Sequence, residues 1–406
     1  MCKFVEFIHF SVIMAVVRIN FCTFAAVMET LTLGTMQFTA VVVMTLLTFK
    51  LMVPHKRSQE TAVATTARWL MASATAVLAL HFLLQLTLGL RAMGVTQSVM
   101  LNLTMLIPAS YLFSRAVLLL QRHGRLSRWD RWAGPLTWGA VMTMLLAAII
   151  ADGKQLLADS PQRQWAEAGG ALFYLAMETY YSYRHTKALR VMHRTLNDYY
   201  DSDTAGMLRW MQLSIVGLML LALMVPFVIF ATADWLLFFI AIAIYFFIFY
   251  LVDSFCYYLT SNAPQKTQEA EESRAEEEQT KAVQEVTEQT ERTVDEQTKR
   301  AVEQWTARGG HRTAGITSPV AAAEMGIARY QLTAWVKQSG YESFSRWMTA
   351  LRIDEAKRVL LEHSDWGTEA VADYCGFTSR EYFHRIFKEH EGVTPAQYQK
   401  QSRPHP

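Results

Sequence analysis

Arg380, Glu381, His384, Arg385 and Lys388 fall on one side of the segment SREYFHRIFKEH, residues 379–390, when that segment is read as a helix. Tyr382, Phe383, Ile386 and Phe387 recur at one and four and take the other side, where a core would bury them. No nucleophile is paired with a base in this set. It offers instead hydrogen bonds and positive charge along one narrow face, which suits the edges and phosphates of a DNA major groove. A charged helix face in isolation is equally what contact with water alone requires. Ser379 stands just ahead, and Thr378 with Glu381 three residues on makes a capping box for the helix start.

The surrounding pattern predicts the elements that carry this face. Thr368 to Tyr374 reads as a helix, Gly376 as a tight turn tolerant of positive φ, and the segment after it as the second helix of a helix-turn-helix. The same unit occurs earlier, with helices over 320–325 and 329–338 and a turn at Gly326-Ile327. Between the two lies a long amphipathic helix from Ser343 to Leu361, with Phe344, Trp347, Met348, Leu351, Ala356, Val359 and Leu360 on one side. With a short helix ending before Gly309-Gly310 and one after the second unit, residues 303–402 fit seven helices. Duplication on a rigid connecting helix places two reading helices in successive major grooves of double-stranded DNA.

The run CGFTSREYFHRIFKEHEGVTPAQYQ, residues 375–399, resembles the signature of the AraC/XylS family of bacterial transcription regulators. Matching positions are Gly376, Phe377, Ser379, Tyr382, Phe383, Arg385, Phe387, Lys388, Gly392, Thr394, Pro395 and Tyr398. LRIDEAKRVLLE, residues 351–362, is similar to that family's linking helix. The resemblance implies base reading by Arg380, Glu381, His384 and Arg385 in the second unit, and by Arg329, Tyr330, Thr333 and Ala334 in the first. Ala334 departs from the long polar residue frequent there, and Ala328 from the capping Ser. The first unit then reads as a grip on phosphate through Arg329 and Lys337. The family's usual soluble cupin-type sensor is absent, and a membrane bundle stands in its place.

That bundle follows from composition. Of the 406 residues 52% are hydrophobic, and the long apolar runs lie almost wholly before residue 260. Roughly 20 apolar residues cross a bilayer as a helix. Seven stretches qualify: 31–53, 68–90, 96–121, 134–151, 167–189, 210–231 and 234–260. Basic residues crowd the odd loops, with His55, Lys56 and Arg57 in the first. Arg122, Arg125, Arg128 and Arg131 fill the third, and Arg184, Lys187, Arg190, Arg194 and Arg209 the fifth. The even loops carry few or mix signs. Because Lys and Arg collect on the cytoplasmic side, the chain after the seventh span is expected in the cytoplasm of a bacterial inner membrane.

Residues 1–30 contain Glu6, His9, Arg18 and Asn20 in an apolar setting. They fit an eighth span, an interfacial helix, a weak signal segment or an extension ahead of a start at Met28 or Met36. Within the spans, His81, Glu178 and Asp253 stand out, with Asn102 and Tyr180. Either they hydrogen-bond between helices or they line a cavity for an unknown small-molecule or membrane signal. Tyr180, Tyr181 and Tyr183 before Arg184 read as an aromatic belt. Cys2, Cys22, Cys256 and Cys375 show no ligand spacing and read as packed free thiols, with no metal and no cofactor implied.

Residues 262–302 form a charged connector rich in Glu, Gln, Thr, Lys and Ala, in which EEQTKAVQE at 277–285 is echoed by DEQTKRAVE at 295–303. It fits a solvated, partly helical spacer or a weak stalk for a homodimer. The fold class is therefore all-α: a polytopic transmembrane bundle at 31–261, the connector, and a double helix-turn-helix domain. The function that fits is a membrane-integral one-component transcription regulator, with the spans as input and the DNA-reading helices as output. The alternative is a transporter or channel with a helical protein-interaction tail, which internal repeats and broken helices would favour. A membrane enzyme lacks a catalytic constellation such as HExxH.

Overall fold

The structure is a computed structural model that describes residues 34–53, 61–89, 95–153, 160–202, 204–230, 234–261, 263–284, 291–363 and 365–401. The expectations placed on residues 1–30 and on the loop carrying His55, Lys56 and Arg57 lie outside the described residues. Among those residues the chain is helical, with one isolated β-bridge and no strand. It divides into two compact units: residues 1–186 with 210–260, and residues 187–209 with 261–406.

The first unit holds α1 (Gly34–Met52), α2 (Ala62–Leu88), α3 (Val95–Gln121), α4 (Arg128–Asp152), the larger part of α5 (Pro161–Tyr199), most of α6 (Ala205–Phe230) and α7 (Asp234–Thr260). Among the described residues five stretches are long and apolar enough to cross a membrane: 34–52, 62–88, 97–121, 128–152 and 242–260. They coincide with five of the seven expected spans. The expected span 167–189 lies inside the 39-residue α5, which is not among the five because Glu167, Glu178, Arg184 and His185 dilute its apolar content. The expected span 210–231 falls in α6, where the described apolar stretch Gly206–Leu220 is shorter.

Helix ends here are set by local chemistry. The side chain of Thr61 accepts the amide of Ala64 at the start of α2, and Gly89 closes that helix in the left-handed region. Ser127 and Asp130 form a reciprocal capping box at the start of α4. A core of Val99, Leu103, Ile107 and Tyr111 from α3, Val141 and Leu145 from α4, and Ala171, Tyr174, Met177 and Tyr181 from α5 joins three helices. Outward, Leu136, Leu146, Ile150, Leu172 and Phe246 are exposed, an apolar exterior.

The three tyrosines expected to form a belt have different surroundings. Tyr180 and Tyr181 turn inward, donating to the Asp130 carboxylate at 3.0 Å and the Asp130 carbonyl at 3.1 Å, and only Tyr183 is exposed. A buried carboxylate needs hydrogen-bond donors, and the Tyr180 hydroxyl is one of those that supply it. Exposed Trp129, Trp132 and Trp165 at helix starts have the amphipathic character that a belt requires.

The second unit contains the end of α5, the short loop after it and the beginning of α6. It continues with α8 (Ala263–Gln284), α9 (Glu291–Ala307), a 3-10 turn at Gly310–Arg312, α10 (Ser318–Met325), α11 (Arg329–Gln338), α12 (Phe344–Glu362), α13 (Thr368–Tyr374), α14 (Arg380–Glu391) and α15 (Pro395–Gln401). From α9 onward these are the seven expected helices. The first begins inside the connector, at Glu291, rather than near residue 303. Its Val302 and Trp305 belong to the core, so the apolar contacts draw the helix into the domain.

Two apolar cores share one helix. The first half of α12 (Phe344, Trp347, Met348) packs with Trp305, Ile316, Ala321, Met325, Leu332 and Val336. The second half (Ile353, Ala356, Val359, Leu360) packs with Val371, Ala372, Cys375, Phe377, Phe383, Ile386 and Phe387. Each helix-turn-helix therefore owns one end of α12, which fixes their spacing. Cys256 and Cys375 are free and buried, as expected of packed thiols, and burial pushes the Cys375 thiol up to about 12.

Candidate nucleic-acid interface

The second reading helix, α14, is set by a turn and a cap. Gly376 has φ of 80°, and a Cβ there would lie 2.4 Å from the Arg312 carbonyl oxygen, so the turn needs glycine twice over. The N-cap is Ser379, whose hydroxyl accepts the Tyr382 amide at 3.0 Å. The expected capping box from Thr378 does not form, because the helix starts one residue later. Ser379 is itself exposed, and its hydroxyl keeps a proton to donate.

Phe383, Ile386 and Phe387 are buried and Tyr382 is half-buried, as the periodicity predicts. Arg380, Glu381, Arg385 and Lys388 are exposed. The Arg380 guanidinium lies 3.6 Å from Glu369 of α13, and that of Arg385 sits 5.4 Å from the centre of the Tyr382 ring, a cation–π contact that steadies it. His384 is different. It is half-buried, with Nε2 3.2 Å from the Thr368 hydroxyl, so it ties α14 to α13. The outward cationic group of α14 is Arg380, Arg385 and Lys388.

The first reading helix, α11, is placed otherwise. Its N-cap Ala328 has no side chain to cap with, but the Gln331 side chain accepts the Ala328 amide at 2.8 Å, half of a capping box. Leu332 and Val336 face the core, Tyr330 is half-buried, and Ala334 is exposed. Arg329 is not outward. Its side chain is 11% exposed, 3.5 Å from Glu277, and donates to Ser273 Oγ at 2.7 Å and Ser318 Oγ at 3.1 Å. It also stacks over Tyr199 at 5.6 Å. Burial pulls its pKa down, against the carboxylates that favour its charge. Lys337 lies 3.9 Å from Asp198, whose carboxyl burial pushes up despite the opposing pull of Lys337 and Arg329. Thr333 lines a crevice with Asp198 and Lys337.

A residue that sequence reasoning passed over anchors this unit. Arg352, in the middle of α12, is buried between the two cores. It donates to the His311 and Thr313 carbonyl oxygens at 2.8 and 2.9 Å and pairs with Asp201 at 2.6 Å. An arginine in an amphipathic helix gives no sign of this, since Asp201 lies 151 positions away.

The three intramembrane candidates have separate surroundings within the first unit. Glu178 of α5 bonds to Ser110 of α3. Asp253 of α7 pairs with Lys50 of α1 at 2.5 Å. His81 is buried edge-on to Phe82, and its Nδ1 has no hydrogen-bond partner among the described residues. Asn102 accepts from Gln85 at 3.2 Å, an interhelical bond of α2 and α3. Glu178, Asn102 and Asp253 thus each bond to a side chain of another helix. No cluster of three or more metal-ligating side chains occurs among the described residues.

Comparison with known proteins agrees with the C-terminal geometry. Residues 321–401 match the model of a family described as a helix-turn-helix domain. The regulatory protein PocR of Salmonella typhimurium is 31% identical over 80 residues, a stretch that covers 20% of this chain and 26% of that relative. The chain thus spans about a quarter of the relative's length. No solved structure matches. The C-terminal domain of this chain is a helix-turn-helix domain of the AraC type.

Proposed function

We propose that this protein is a membrane-integral, one-component transcription regulator that binds double-stranded DNA sequence-specifically through its cytoplasmic C-terminal domain. The observation that carries the reading is α14, a well-capped helix in an AraC-type domain that presents Arg380, Arg385 and Lys388 to solvent while Phe383, Ile386 and Phe387 lock it in place. Side chains held by packing on a rigid helix read base edges with less loss of entropy than mobile ones. Five long apolar helices ahead of the domain support embedding in a bilayer, and the regulatory relative supports control of transcription.

Arg385 is the base reader, because guanidinium matches the O6 and N7 of guanine bidentately. Lys388, in the last turn, contacts phosphate. In the first helix-turn-helix Arg329 and Lys337 grip the backbone with little sequence information. The transmembrane bundle, which includes α5 and α6 as spans, receives the stimulus, and its polar side chains His81, Glu178 and Asp253 are the places to seek an effect of one. Genome-wide mapping of DNA crosslinked to the intact protein tests the reading. Discrete enriched sites sharing a motif are expected, and uniform background recovery from a membrane-localised, folded protein would overturn it.

A further inference from the structure

We infer that the connector helix α8 and the cytoplasmic end of α5 are a built-in occupant of the first reading helix, holding the DNA-facing stripe of α11 off the groove. This rests on the DNA-binding reading above. All the groups involved belong to one compact unit, residues 187–209 with 261–406.

Arg329, Thr333 and Lys337 recur every four residues and so form one stripe along α11. Each meets the occupant or the crevice beside it. Arg329 has Ser273 and Glu277 of α8 and the Tyr199 ring, while Lys337 and Thr333 have Asp198. The two cations that suit a phosphate grip are those opposite carboxylates. Carboxylate and phosphate oxygens compete for the same N–H donors with the same charge-assisted geometry, so one guanidinium cannot serve both fully.

Size leads to the same conclusion. A helix with its side chains is about 10–12 Å across, and the major groove is about 12 Å wide. The groove admits α11 or nothing larger, and with α8 against Arg329 and the α5 end beside Lys337 α11 is too broad to enter. The occupant is also fastened to the domain it blocks. Asp201 pairs with buried Arg352, and Tyr200 makes a backbone bridge to Thr317 just ahead of α10. The Tyr200 hydroxyl is 3.3 Å from the Lys266 carbonyl oxygen and from Glu269, which joins the α5 end to α8. Asp201 and Tyr200 serve as the hinge side of the clamp, and Asp198, Ser273 and Glu277 as its blocking side. The second helix-turn-helix is untouched: Arg380, Arg385 and Lys388 stay exposed. In this state one reading helix of two is available, and release of α8 supplies the other.

The test uses the full chain in zwitterionic nanodiscs and a mixed-sequence duplex of about 40 base pairs, several helical turns long. Asp198→Asn with Glu277→Gln should lower Kd about tenfold at low salt, as expected when the competent fraction rises by that factor. The slope of log Kd against log salt should steepen by about one, for the uncovered Arg329. Ser273→Ala removes a bond to Arg329 without changing charge and should tighten binding by a smaller factor. Glu272→Gln, a single charge change on an exposed part of α8, should leave Kd and slope as in the unaltered chain. Binding that none of the clamp variants alters, or that Glu272→Gln tightens equally, overturns the clamp while DNA binding stands. Absence of binding by every chain, each with full helical circular dichroism, overturns the DNA-binding reading itself and the clamp with it.

Discussion

Arg352 and Asp201 form a buried ion pair, 2.6 Å apart, with side chains 2% and 1% exposed. One lies in the helix shared by both helix-turn-helix cores, the other in the loop that follows α5. The arginine's remaining donors go to the His311 and Thr313 carbonyl oxygens, so its charge is both paired and hydrogen-bonded. Such a pair gives little net stability compared with apolar packing, but it fixes which surfaces meet.

Breaking this pair from one side should therefore be costly, and removing both sides should not. Asp201→Ala or Arg352→Ala alone strands a buried charge, at a cost of about 3–5 kcal/mol. Asp201→Ala combined with Arg352→Met should recover most of that loss. Hydrogen-exchange protection of the α12 amides in the full-length protein measures it. Equal loss of protection in the double variant and the single ones would refute the stranded-charge explanation.

His311 predicts acid sensitivity of the same unit. It is buried, neither ring nitrogen has a hydrogen-bond partner among the described residues, and burial lowers its pKa below the ordinary value. The unfolded chain then takes up the proton at a higher pH than the folded one. The stability due to the neutral ring is present in full above about pH 6.5 and falls as pH drops toward the lowered value. His311→Leu should flatten protection of the α12 amides between about pH 7 and 5. A pH profile unchanged by the substitution would show that other groups control it.

The two DNA-reading units should separate by substitution. Arg385→Ala should cost about 1–3 kcal/mol and relax preference at one base position, whereas Lys388→Ala should weaken all sequences alike and reduce the salt slope by about one. Thr333→Ala should change sequence choice less than Arg385→Ala. Binding selections on randomised duplexes compare the three. Specificity scrambled by Thr333→Ala and spared by Arg385→Ala would transfer the principal reading role to α11.

Topology provides a further check. A reporter fused after Ser261 should show a cytoplasmic location, and one inserted between residues 152 and 166 the opposite side, because Lys and Arg favour the cytoplasmic face. A periplasmic signal from the Ser261 fusion would put the reading helices out of reach of the chromosome.

Much of the C-terminal domain was legible because its determinants are local. The periodic apolar residues of α12 and α14, the left-handed glycines at 326 and 376, and the bounds of α11 and α13 follow from neighbours a few positions apart. The apolar runs gave five of the expected spans for the same reason: length and hydropathy are properties of a segment by itself. Tertiary structure decided where charges end up. Arg329 and Arg385 look equivalent along the chain, each a basic residue on a reading helix. One is covered by Ser273, Glu277 and Tyr199, and the other remains in solvent. Tyr180 likewise left the expected belt for Asp130, fifty positions away. Helical period tells which side of a helix is polar, but a buried carboxylate or guanidinium takes whatever partner the fold brings within hydrogen-bond reach, and that partner can be far off in sequence.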